Sequence, residues 1–144
     1  MDDEKVVLRF LDGTILKGHI RTFLETSDDV VFRELGSAVD RSIKNDSLKA
    51  IFFVKSFEGN RQYYEKKSYG IRKPHGHRTF IKFIDGEDMV GFMESDQPWQ
   101  KGFFLDRDTV NNLKGFFLLP ADDGSNNIRV FIFVHAVKDV TVVP

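Results

Sequence analysis

An all-β chain built as two copies of one small unit is what this sequence predicts. Three observations carry that reading. The chain repeats itself without gaps over its opening strands. Its apolar runs are short and bounded by Asp, Asn, Gly and Ser turns. No stretch holds a helical period for three turns. The fold class expected is two tandem five-stranded small barrels packed together.

The repeat sets the first two strands of each unit. Residues 6–20, VVLRFLDGTILKGHI, align on residues 79–93, TFIKFIDGEDMVGFM. Phe10, Asp12, Gly13 and Gly18 match Phe83, Asp85, Gly86 and Gly91, and Arg9 matches Lys82. Each copy reads as a strand, an Asp-Gly turn, and a second strand carrying a glycine where the backbone curves or another chain comes close. A type I′ turn would need positive φ at both central residues.

The last elements correspond too. Residues 46–54, DSLKAIFFV, resemble residues 135–143, HAVKDVTVV. Both read as a single helical turn, capped by Asp46 in the first unit, running into a terminal strand. The offset is 73 residues at the start of the repeat and 89 at its end, so the second unit holds about sixteen extra residues, expected around 113–127. Between these ends, strands are expected at 30–35 and 39–43 in the first unit, and at 102–105, 115–119 and 128–134 in the second. The unit boundaries follow: 1–60 for the first, 61–78 for a basic linker, 79–144 for the second with its insertion.

Five short strands with one helical turn before the last is the order of a small barrel of the SH3-like or Sm-like kind. The opening pattern resembles the first Sm motif. Through LKAIFFVKSFEGN (48–60) and GFFLLPADDGSNNIRVFIF (115–133) the chain also resembles a bacterial family of tandem small-barrel proteins. That resemblance implies a fold and no activity, because fold does not give function.

Strand alternation places Leu8 and Phe10 on one face and Val7, Arg9 and Leu11 on the other. The second unit repeats this with Ile81 and Phe83 against Phe80, Lys82 and Ile84. Both faces are mainly apolar, whereas a lone barrel buries one. The expectation is that the Val7/Leu11 and Phe80/Ile84 faces bury each other, with a homo-oligomer as the alternative.

Composition narrows the function classes. Of 144 residues, 41% are hydrophobic and 30% charged, as in a soluble globular protein. No apolar run approaches the ~20 residues of a membrane span, and the acidic start is unlike a signal peptide; a cytoplasmic location and no membrane partner are expected. The lack of cysteine removes thiol nucleophiles, disulfides and cysteine metal sites. A net charge of −1 argues against a general DNA binder. Fifteen phenylalanines against three tyrosines and one tryptophan indicate aromatics used for packing.

The only basic block is residues 61–78, RQYYEKKSYGIRKPHGHR, with six basic residues against one acidic. Lys66, Lys67, Arg72, Lys73 and Arg78, interleaved with Tyr63, Tyr64 and Tyr69, could contact phosphates and stack bases. The plainer reading is a basic linker lying over two acidic units. The block also resembles the arginine-bearing segment of PilZ cyclic di-GMP receptors at Arg72-Lys73 and Arg78. The paired-arginine spacing is not reproduced, and no Asp/Asn-x-Ser-x-x-Gly follows. In Sm-like RNA binders the nucleotide pocket is built from polar and basic residues on the loops after the second and fourth strands, and the second motif's basic pocket residues are absent here before Asp46 and before His135. Trp99, after Pro98 in a polar loop, is a candidate interface anchor.

His75-Gly76-His77 lacks the further ligands a metal site wants, and Asp122 to Asn127 lacks the spacing of a calcium loop and reads as a hairpin turn. Asp106 and Asp108 read as a solvated surface pair. There is no Gly-x-Ser-x-Gly elbow, phosphate loop or dinucleotide fingerprint. The function expected is a non-catalytic binding or protein-interaction module without cofactor, metal or catalytic residues. Its partner would be another protein. The alternative is RNA or cyclic-dinucleotide binding through the basic linker.

Overall fold

The protein is described from a computed structural model covering residues 4–24, 27–57, 77–93, 114–121 and 126–143. The first unit runs β1 (Lys5–Phe10), β2 (Ile15–Thr22), β3 (Asp29–Glu34), β4 (Arg41–Lys44), a 3-10 turn at Asn45–Ser47, and β5 (Leu48–Val54). The second runs β6 (His77–Phe83), β7 (Asp88–Met93), β8 (Gly115–Pro120), β9 (Asn127–Phe133), a 3-10 turn at Val134–Ala136, and β10 (Val137–Val143). Expected strands and observed ones agree to within two residues, and the segment at 102–105 lies outside the described residues.

The ten strands of the described residues are antiparallel and form one sheet, in the order β10-β6-β7-β8-β9-β5-β1-β2-β3-β4. The expected pair of closed barrels is therefore not what forms. Each unit keeps the same order (β5-β1-β2-β3-β4, then β10-β6-β7-β8-β9), but its outer strands do not meet each other. Instead β5 takes β9, with Ala50 opposite Ile132, Ile51 opposite Phe131 and Phe52 opposite Val130. The reason lies in those two strands. LKAIFFV and the VFIF end of NIRVFIF are buried on both faces, and pairing them hides all of that apolar surface at once.

The local signals hold with two corrections. Gly13 and Gly86 have φ of +92° and +94°, and no other residue type has positive φ among the described residues. The turns are therefore not type I′. They are three-residue loops in which the amides of Gly13 and Gly86 donate to the carbonyls of Phe10 and Phe83, with the glycine in the left-handed region. The first 3-10 turn is preceded by Lys44 with no side-chain cap, and Asp46 sits inside its first turn rather than capping it. Gly18 and Gly91 do mark close approaches: a Cβ there would lie 2.2 Å from the Arg33 carbonyl oxygen and 2.3 Å from that of Leu119.

Register also relocates the insertion. Gly18 faces Glu34 as Gly91 faces Pro120, and Val30 faces Ile43 as Phe116 faces Ile132. Most of the extra length therefore enters between Met93 and Gly115, with only a short addition between β8 and β9. The β8–β9 hairpin expected across residues 122–127 forms, though 122–125 are outside the described residues.

Two hydrophobic clusters lie on opposite faces of the shared region. Val6, Leu8, Val30, Phe32, Ile51 and Phe53 of the first unit pack with Phe131 and Phe133 of β9. Ile81, Phe83, Leu118 and Ile132 of the second unit pack with Ala50, Phe52 and Val54 of β5. Each unit's core thus borrows a strand from the other. The expected face-to-face packing is replaced by this exchange: Val7 packs on the second cluster, but Leu11, Phe80 and Ile84 are 46%, 44% and 65% exposed. Fully burying one Phe side chain is worth roughly 1.5–3 kcal/mol, against ~0–1 kcal/mol for a half-exposed ion pair, so apolar burial holds the units together.

Candidate binding groove

An Asp-Gly turn locks the second unit onto the first. Leu11 and Ile84 amides donate to the carbonyls of Ser47 and Ala136, so each turn is pinned to the start of its own last strand. In the second unit, Asp85 and Glu87 then reach across. Lys49 on β5, only 3% exposed, donates to Asp85 Oδ2 at 2.6 Å and to Glu87 Oε1, and its ammonium lies over the Phe83 ring at 4.5 Å. Arg9 of β1 pairs with Glu87 at 3.2 Å. The Lys49 hydrogen bond and the Glu87 amide hold the Asp85 carboxyl below its ordinary value. For Glu87, burial pushes upward, but the Lys49 hydrogen bond and the Arg9 charge outweigh it and leave the carboxyl lowered.

Glu87 is also one end of an open groove of about 710 Å³ across β10, β6 and β7. Two rows line it. Thr141, Phe80 and Val90 face one another across the three strands, and beside them run Asp139, Lys82 and Asp88. Alternation explains the floor: Ile81 and Phe83 turn into the core, so Phe80 and Lys82 must point outward. The matching face of the first unit, with Val7, Ala50 and Phe52, is covered by the second cluster. Among the described residues, the groove is therefore the uncovered version of a surface that the chain buries once already. It offers an aromatic floor, one lysine between two aspartates, and the edge of β10, which closes the sheet on that side.

Of the residues singled out from sequence, Tyr63, Tyr64, Lys66, Lys67, Tyr69, Arg72, Lys73 and Trp99 lie outside the described residues, as do His75, Asp106 and Asp108. Arg78 is described: it is exposed on β6, opposite Phe92 and Val143. His77 begins β6, so that strand starts inside the segment taken as linker. Among the described residues no three His, Asp or Glu side chains gather closely enough to hold a metal. Sequence reasoning did not single out the groove. Its one signal is Phe80 and Ile84 on an outward face, which alternation alone assigns to packing between the units.

A continuous sheet of two interlocked units, with an open groove at one end, defines an all-β repeat protein. The chain belongs to DUF6982, a family of unknown function whose model matches residues 2–144, a span that takes in both units. No curated protein and no solved structure matches it.

Proposed function

We propose that this chain is a non-catalytic protein-interaction module, in which the edge of β10 and the adjoining groove take an extended polypeptide segment. The observation that carries the reading is Phe80, 44% exposed on the floor of a groove that runs beside a terminal strand. An edge strand presents a row of backbone donors and acceptors, and strand addition draws affinity from them while neighbouring pockets select side chains. Here the apolar row at Thr141, Phe80 and Val90 would take an apolar side chain, and Lys82 with its two flanking aspartates would favour a polar or charged one beside it. Support also comes from within the chain, because β5 already accepts β9 along the corresponding edge. In finer detail, each unit's strand order is that of a Sm-like or SH3-like small barrel left open to receive another strand.

The test is selection from a displayed library of random, unstructured peptides, with the selected sequences remeasured against Phe80→Glu. Phe80 lies outside both cores, so that variant keeps its fold, checked by its melting temperature. The reading predicts recurrent apolar–polar sequences whose affinity falls at least tenfold in the variant. Failure to enrich any sequence, or binding indifferent to Phe80→Glu, contradicts it.

A further inference from the structure

Resting on the reading above and naming its occupant, we propose that the β10 edge and groove take the β4 edge of a second copy of this chain, so that chains associate head to tail. The argument starts from the strand order. In the repeat, β9 is the counterpart of β4, and β5 is the counterpart of β10. The β9–β5 pair is therefore one finished instance of an interface whose two halves recur, free of strand partners among the described residues, at opposite ends of the sheet. An interface between two different surfaces of one repeating unit is heterologous, and it propagates until rotation closes it or the partners run out.

The register of the finished junction carries over. Ile132 opposite Ala50 becomes Ile43 opposite Asp139 of the second chain, and Val130 opposite Phe52 becomes Arg41 opposite Thr141. Arg41 then lies diagonal to Asp139, within reach of a long side chain across an antiparallel pair. The charges carry over as well. Where Asp85 meets Lys49 and lies near Arg9, the outer ends hold Asp12 on one side and Lys138 and Lys82 on the other. Where His135 sits 2.6 Å from the Leu48 carbonyl oxygen, the outer end holds Asp46. One end thus presents exposed Asp12 and Asp46 beside Arg41 and Lys44 of β4, the other exposed Lys82 and Lys138 beside Asp88 and Asp139, so each end carries both signs in complementary order.

The outer edges are also more polar than the inner ones. The junction has Phe52, Phe131 and Phe133 where the free edges have Thr141, Ser42 and Lys44. The association is consequently weaker than the junction, reversible and dependent on protein concentration. That polarity keeps a chain with two complementary edges from aggregating at low concentration.

Analytical ultracentrifugation of the full chain tests this. The weight-average mass should rise at least about twofold between roughly 5 and 500 µM protein by mass action, and less in high salt. Asp12→Lys with Asp46→Lys should remain monomeric, as should Lys82→Glu with Lys138→Glu, because each places like charges at its own contact. Mixing the two variants places opposite charges at every contact and should restore the large species. A discrete mass identifies a closed ring and a broad series a filament; both support the proposal. A wild type that stays monomeric throughout, or a mixture no larger than its parts, overturns it. Selected peptides that still bind at Phe80 in that case locate the failure in the occupant and not in the groove.

Discussion

Lys49 Nζ, buried on the last strand of the first unit, lies 2.6 Å from Asp85 Oδ2 in the Asp-Gly turn of the second. The same lysine donates to Glu87, which also holds Arg9, so two cations of one unit face two carboxylates of the other. A nearly buried lysine is tolerated here because each of its two anionic partners keeps one side in water, and the Phe83 ring takes its remaining face.

That pairing predicts an acid-sensitive junction. Asp85 and Glu87 are both held below their ordinary values, so the folded chain binds fewer protons than the unfolded one as pH falls. Their contribution is complete above the unfolded-state values of about 4, and is lost as pH drops through the lowered folded values. Melting temperature followed from pH 7 to 2 should fall more steeply for the wild type than for Asp85→Asn with Glu87→Gln. Parallel curves would show that these carboxylates do not stabilise the fold.

The Asp-Gly turns give a prediction independent of packing. A Cβ at Gly13 or Gly86 meets nothing within 4 Å, so only backbone strain separates glycine from another residue there. Gly86→Val and Gly13→Val should each cost roughly 1–3 kcal/mol by denaturant unfolding. Unchanged midpoints would contradict the left-handed conformation at these positions.

Much of this was legible in the sequence, and the split between what was and was not has a physical basis. The Asp-Gly turns and the single helical turns are local, set by residues a few positions apart, and Gly18 and Gly91 show in the repeat although the strands that crowd them lie 15 and 28 positions on. The junction is not local. Its signal was present in LKAIFFV and NIRVFIF, both apolar on two faces, but alternation alone does not say which doubly apolar strands pair. Alternation matches Val7 and Leu11 to Phe80 and Ile84, whereas the burial of Val7 comes from the second cluster and the other three are exposed. The groove was hidden for the same reason: Asp139, Lys82 and Asp88 become neighbours only through the register of three strands, with Asp139 lying 57 positions from Lys82.

Exchange of strands between the cores predicts a single cooperative unit. Phe131 belongs to the second unit, yet it is fully buried in the first unit's cluster, with Phe23, Phe117 and Phe133 rings centred at 4.9, 5.0 and 5.2 Å. Phe131→Ala should destabilise the chain by about 3–5 kcal/mol. Because both units share that loss, unfolding followed by far-ultraviolet circular dichroism should stay a single transition shifted as a whole. Two separated transitions, one unmoved, would show units that fold independently.

In the whole fold, β5 pairs with β9 and joins both units in one sheet, instead of closing the first unit on β4. Interstrand nuclear Overhauser effects on labelled protein test it directly. Backbone contacts should link residues 50–54 to residues 127–132, with Ala50 opposite Ile132 and Phe52 opposite Val130. Contacts linking 48–54 to 41–44, and none to 127–132, would mean a closed first barrel and would contradict it.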